Sequence, residues 1–248
     1  MRREGILAAS GEICALTESW IEPSPGWVAA LREAHRRHPD AAAIGGPVAF
    51  PCDGEVPAGG EASHDSAGPS RLAWADYFSE YGAYVPDPGN GREVASVESL
   101  SGANCSYKRW ALEECRDLID QAAWEPVIHA RLRGRGHEIK RAAAAWVGYQ
   151  RPAGLTELLR RRFTHGRGHG AARGLGRPWI GRLARGAAAP LVPWVLLWRL
   201  WRGLPEAPGL RGRLLAAAGW ILVLNSAWAL GEADGEWFGP ATDEPVIG

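Results

Sequence analysis

The spacing of apolar and polar residues changes period several times along the chain, and each change predicts an element. Residues 3–10 read as the end of a small-residue helix, and 12–17, Glu-Ile-Cys-Ala-Leu-Thr, as a short buried strand. Pro23 and Pro25 break the chain. Ser24 is then expected to cap a helix with Pro25 at its first position and apolar residues at Trp27, Val28, Leu31 and Ala34. A strand over 41–49 carries a Gly-Gly-Pro interruption, and 51–70 is a Gly/Pro/Ser/Asp loop. An aromatic helix follows over about 71–81, a loop over Pro86–Gly91, and a strand over 93–100. Gly102-Ala-Asn-Cys-Ser-Tyr reads as a turn into a helix near Lys108. A helix over about 125–133, stopped by Gly134 and Gly136, precedes a strand within 137–148. Strands alternating with helices predict an α/β sheet.

The last hundred residues differ. An Arg-rich helix begins at Leu155, and two apolar runs follow at 186–198 and 214–231. The expected organisation is therefore an α/β domain over 1–154, an Arg-rich helical segment over 155–185, and an apolar helical tail over 186–248. Run 214–231 has no charged residue and would be about 27 Å long as a helix, near the thickness of a bilayer core. Run 186–198 is shorter and holds Pro190 and Pro193, which suits an interfacial segment. Arg199, Arg202, Arg211 and Arg213 lie between the runs, so a double crossing would strand them on the far side. The expectation is that 186–198 lies in the cytoplasmic interface and 214–231 spans once or packs beside it. The same runs also suit helices packed on a soluble domain.

Charge sharpens this picture. The formal net charge is +0, yet from Arg151 to Arg213 the basic side chains are arginines opposed only by Glu157 and Glu206, and acids gather after Glu232. Such a gradient points to phosphates or anionic head groups as partners. No stacking pattern or nucleic-acid module accompanies the arginines, so nucleic acid is not expected. Cys14, Cys52, Cys105 and Cys115 form no Cys-x-x-Cys pair and predict reduced thiols in a cytosolic compartment. The N-terminus, Met-Arg-Arg-Glu-Gly-Ile, lacks the apolar core of a signal peptide.

Four stretches carry candidate chemistry, in this order: Gly11-Glu-Ile-Cys-Ala-Leu-Thr-Glu-Ser-Trp-Ile-Glu-Pro-Ser-Pro-Gly-Trp, Gly45-Gly-Pro-Val, Ser101-Gly-Ala-Asn-Cys-Ser-Tyr-Lys-Arg and Trp124-Glu-Pro-Val-Ile-His-Ala-Arg-Leu. Together, over roughly residues 3–170, they resemble the family 2 glycosyltransferases. That resemblance implies a GT-A fold, here a partial Rossmann-like sheet with flanking helices, and sugar transfer from a nucleotide-sugar donor to a glycan or lipid-linked acceptor with inversion. It also implies a nucleotide-binding portion of roughly one hundred residues ahead of the acidic motif, which this chain reaches at Glu18, so the 248 residues by themselves are expected to bind nucleotide sugars poorly.

The resemblance assigns roles residue by residue. Glu18 falls on the acidic motif whose carboxylates hold Mg²⁺ or Mn²⁺ against the donor diphosphate, with Ser19 and Trp20 in place of the following acids; read alone, it is a polar strand-end residue. Gly102 and Asn104 fall on the acceptor-side turn; read alone, they build a strand-to-helix connection. Glu125 falls on the general base, which takes the proton of the attacking hydroxyl; read alone, it is a first-turn glutamate favoured by the helix dipole. Arg161, Arg162, His165 and Arg167 fall in a basic segment that closes over the donor phosphates. A site at the cytoplasmic face of a membrane follows, since nucleotide sugars are made in the cytoplasm. The competing expectation is a binding module or remnant that keeps the fold without the reaction.

Overall fold

The computed structural model describes residues 2–50, 70–87, 94–121, 125–150, 154–174 and 178–239. Most of the expected 51–70 loop and part of Pro86–Gly91 lie outside these residues, as do Cys52, Trp124, Asp243 and Glu244. The chain divides into two compact units: Met1–Gly68 with Tyr84–Arg151, and Pro69–Ala83 with Pro152–Ile247.

The first unit is mixed α/β. In chain order it contains α1 (Arg2–Ala8), β1 (Ile13–Thr17), β2 (Ile21–Pro23), α2 (Trp27–Arg37), β3 (Ala41–Gly45) and β4 (Val48–Ala49). After α3 (Arg71–Tyr81), which belongs to the second unit, come β5 (Val94–Ser96), β6 (Asn104–Lys108), α4 (Arg109–Glu114), α5 (Arg116–Asp120), α6 (Glu125–Gly134), β7 (Glu138–Ala142) and β8 (Val147–Tyr149). Among the described residues one sheet has the order β1-β6-β3-β7-β5 and a second the order β2-β8-β4. Strands β1 and β3 both run antiparallel to β6, and β3 runs parallel to β7. So β1, β3 and β7 point the same way, with their carboxyl ends at one edge of the sheet. Strand β3 is buried at every position, and its run of three alanines lets helices pack closely on it. Tyr107, Leu132, Ile139, Leu100 and Cys105 fill the core around it.

Two expectations change. Gly102–Tyr107 is not a turn throughout: only its first two residues turn, and Asn104–Lys108 is strand β6, buried between β1 and β3. Asn and Ser in a strand disguised it, because their side chains are satisfied by partners far away in sequence. Likewise α2 starts at Trp27 rather than just after Ser24. The backbone turns through Gly26 (φ 82°), and the Trp27 N–H donates to the Ser24 carbonyl at 3.0 Å, with no side-chain cap. Ser70, placed by the sequence in the preceding loop, caps α3 by accepting from the Ala73 N–H at 3.2 Å.

The second unit is helical: α3, α7 (Leu155–Gly174), α8 (Trp179–Ala187), α9 (Val192–Gly203) and α10 (Leu210–Phe238). The apolar run 186–198 is divided between the end of α8, a tight turn at Ala189–Leu191 and the first half of α9, with Pro193 in the opening turn of α9 where its missing N–H is harmless. The run 214–231 lies inside α10, the one helix among the described residues long and apolar enough to cross a membrane.

Helices α7 and α10 lie parallel at backbone contact distance. A Cβ placed on Gly166 would strike the Trp228 carbonyl, on Gly170 the Glu232 carbonyl, on Gly231 the Phe163 carbonyl and on Gly235 the Arg167 carbonyl. Glycines four apart on both helices thus make one smooth seam. Charges extend it. Arg162 donates to Asn225 Oδ1 at 3.0 Å, Arg167 pairs with Asp234 at 2.8 Å, and Arg173 pairs with Glu232 at 3.0 Å. Glu232 and Asp234 near the α10 end are therefore partners of α7 arginines, and Glu236 lies 4.0 Å from Arg185 of α8. Helix α3 adds Trp74, Tyr77, Phe78 and Tyr81 to the same unit, and its Asp76 and Glu80 pair with Arg161 at 2.5 and 3.3 Å.

Gly231→Val is expected to force α7 and α10 apart at a cost of roughly 1–3 kcal/mol, the range for overpacking. Thermal unfolding followed by circular dichroism should show a melting point several degrees lower. An unchanged transition would mean that the seam is not closed in solution.

Candidate active site

Asn104 is the first residue of β6 and is 0% exposed. Its amide reaches three segments at once. Oδ1 accepts from the Trp27 indole N–H at 2.9 Å, while Nδ2 donates to the carbonyls of Pro47 at 3.0 Å and Ala145 at 2.8 Å. Gly45 and Gly46 make this possible, since a Cβ on either would run into the Asn104 or Ala145 backbone. The resemblance implied an acceptor-side place for Asn104. In the structure its amide is occupied inside the protein, and its effect on any ligand passes through the segments it ties down.

Gly102, two residues earlier, is half-buried. A Cβ there would lie 2.7 Å from Cδ and 2.8 Å from both carboxylate oxygens of Glu125. Only hydrogen leaves room for that carboxylate to rest on the turn. Glu125 opens α6, where the helix dipole favours an anion, and it is 9% exposed. Thus the third and fourth sequence stretches touch through Gly102 and Glu125, while the first, second and third meet at Asn104. Glu18 follows β1 directly; Thr17 is in register with Asn104, so Glu18 belongs to the same end of the sheet. It sits in the tight turn to β2, where the Ile21 N–H donates to its carbonyl at 3.1 Å. This end holds the carboxyl termini of β1, β3 and β7, the side of an open sheet where ligands bind.

Several residues here escaped the sequence reading. His129, one turn after Glu125 on α6, is fully buried. Its Nδ1 lies 3.0 Å from Ser99 Oγ and accepts from the Leu100 N–H at 3.5 Å, so the proton sits on Nε2, 2.8 Å from the Tyr107 hydroxyl. Burial, with Arg133 adding, pushes its pKa down to about 4. Tyr84 hydrogen-bonds Ser99; burial first, with the charge of Glu125 adding, raises its pKa, so it stays a neutral phenol beside the carboxylate. The i, i+4 spacing of Glu125 and His129 was the one available signal. Elsewhere in the unit, His35 Nε2 lies 2.9 Å from Ser106 Oγ, which donates to the Ile44 carbonyl at 2.6 Å; burial, then Lys108, lowers its pKa to about 4.

The remaining expected site residues lie in the second unit. Arg161 is held by Asp76 and Glu80, Arg162 by Asn225 and the Ser79 carbonyl, and Arg167 by Asp234. His165 is half-buried on α7. A donor phosphate would have to displace these acids from Arg161 and Arg167. A groove of about 330 Å³ in the first unit runs beside β1 and α2 along Ile13, Ala15, Trp27, Val28 and Leu31. Its lining does not include Glu125 or Gly102. Compared with known proteins, the chain matches no family model and no curated sequence.

Asn104→Ala should strand the Trp27 N–H and the Ala145 carbonyl, the Pro47 carbonyl still accepting from the Val147 N–H at 3.1 Å, costing roughly 2–5 kcal/mol in urea unfolding, since each orphaned buried group costs about 1–3 kcal/mol. A loss under about 1 kcal/mol would show that the amide ties little together. A second expectation concerns pH. Unfolded histidine titrates near 6.5, whereas His35 and His129 titrate at about 4 in the fold. Between these values the unfolded state binds more protons. Stability is therefore intact above about pH 6.5 and is lost as pH falls toward about 4. Urea midpoints measured from pH 7.5 to 4 check this; midpoints that stay level through that window would contradict buried neutral imidazoles.

Proposed function

We propose that this chain carries the acceptor side of a family 2-type glycosyltransferase, moving a sugar from a nucleotide-sugar donor to a glycan or lipid-linked acceptor with inversion. The observation that carries the reading is the Glu125 carboxylate resting on Gly102 at the end of the sheet where β1, β3 and β7 terminate. Glu125 accepts the proton of an acceptor hydroxyl as that oxygen bonds to the anomeric carbon. The bond from that carbon to the donor phosphate oxygen breaks, and the electron pair leaves with the nucleoside diphosphate. Inversion follows from attack opposite the leaving group. The near-burial of Glu125 limits competing water, and Tyr84 beside it is a neutral phenol.

A divalent ion here would be carried in on the diphosphate, since the described residues offer it few ligands. Among the described residues no three His, Cys, Asp or Glu side chains gather, and Glu18 offers one carboxylate beside Ser19 and Trp20. Bound there, Mg²⁺ or Mn²⁺ would offset phosphate charge. That single carboxylate is also what favours the second reading, a glycosyltransferase-like binding module. The site is proposed to face the cytoplasm at a membrane, with the helical unit as the attachment.

Glu125→Gln keeps size and hydrogen bonding but removes the base. In the longest polypeptide whose reading frame contains this chain, the rate of transfer from radiolabelled nucleotide sugars should fall ~10²–10⁴-fold with melting unchanged. Turnover equal to the parent would remove Glu125 from the chemistry. Binding of donors without turnover in the parent would favour the binding module.

A further inference from the structure

The second unit turns outward the residues that a water-facing helix keeps inside. Leu191, Trp194, Val195, Trp198 and Trp201 recur every three or four positions, forming one stripe along α9, and all are exposed, Trp194 by 63%. The other side of α9 is apolar too: Pro193 is buried, and Leu200 lies against Gly82. Helix α10 continues the pattern with Leu215, Trp220, Val223 and Leu230 outward; from Leu214 to Gly231 its only exposed polar side chain is Ser226. A helix apolar on both sides needs cover on the outer one.

Charge says what covers it. Between Trp179 and Gly231 there are six arginines, and Glu206 is the only acid. Arg199, Arg202, Arg211 and Arg213 are exposed and flank the α9–α10 connection. Arg202 stacks over Trp198 at 4.7 Å and Arg211 over Trp201 at 5.5 Å, while Glu206 lies 3.9 Å from Arg211 at the surface. The cations are thus held at the margin of the indole stripe, the composition of an interfacial helix on anionic lipid. A second copy of this face in a two-fold contact would bring like arginine clusters together, with Glu206 alone to relieve them. Helix α9 has twelve residues, about 18 Å, too few to cross a bilayer. Helix α10 is long enough, but its inner side holds Asn225 against Arg162 and its acids against the arginines of the parallel α7. Crossing would carry that polar helix into the bilayer.

We propose that the outer faces of α9 and α10 dock in the plane of an anionic bilayer, indoles at the interface and arginines on headgroup phosphates. This rests on the membrane attachment proposed above and adds the face, its orientation and the headgroup charge.

The test is co-sedimentation of the full chain with vesicles of phosphatidylcholine alone, or with about 30% phosphatidylglycerol, at low and high salt. Binding to the anionic vesicles should be at least about tenfold tighter and weaken with salt. Arg199→Gln with Arg202→Gln should cost ~30-fold on anionic vesicles and little on neutral ones. Trp194→Ala with Trp198→Ala should weaken binding to both. These side chains are exposed, so melting should not change; a variant that melts early is replaced by the single substitutions. Equal binding to both compositions would overturn the anionic assignment while leaving membrane attachment standing. No binding by a monomeric chain would remove both. No binding by a dimer that Trp194→Glu dissociates would give the face to a second copy.

Discussion

The first unit depends on one buried amide. Asn104 has no exposed surface, and its three hydrogen bonds end on Trp27, Pro47 and Ala145, residues 77, 57 and 41 positions away in sequence. A buried amide left unpaired is costly, so the folded chain holds these segments at fixed distances or loses the bonds together. Gly45 and Gly46 exist at their positions because a side chain there would occupy the space of Asn104 and its partner. What this constraint positions is the turn just before it, whose Gly102 supports the Glu125 carboxylate. The candidate chemistry is thus set by packing and hydrogen bonding two residues away from it.

Much of this was legible in the sequence, though not in the roles first given. Strand β1, helix α3 and helix α6 follow from periodicity and from the glycines that stop α6, whereas the Ser70 cap of α3 was not read. The order of the four stretches indicated that they belong together, and Gly102 and Glu125 do touch. Strand β6 was illegible because its polar residues look like turn formers until their partners are known. Asn104 and Ser106 are satisfied by groups from other strands and from α2, and no local pattern encodes that. His129 was hidden for the same reason: its partners Ser99 and Tyr107 are 30 and 22 residues away.

In the helical unit the sequence displayed both halves of each ion pair but not the pairing. The Arg-rich helix read as a phosphate surface, and the acids after Glu232 read as a charged end. The glycine seam brings them together. With α7 and α10 parallel and their backbones in contact, Arg167 meets Asp234 and Arg173 meets Glu232. Several arginines therefore stabilise the unit internally, and four that face outward lie around the α9–α10 connection among tryptophans. A composition that suggested one basic surface is divided into an internal set and an external set with different partners.

The proposed reaction requires the Gly102 turn to hold Glu125 in place for proton abstraction. Gly102→Ala tests it most directly, because the added methyl would lie 2.7 Å from the carboxylate carbon and must push that flexible side chain aside. Sugar transfer should be measured for this variant against the parent, with urea unfolding alongside. Stability should stay within about 1 kcal/mol of the parent and the rate should fall by roughly 10²-fold, the loss expected when a reacting group is misplaced by about 1 Å. A variant that transfers sugar at the parent rate while folding normally would contradict it.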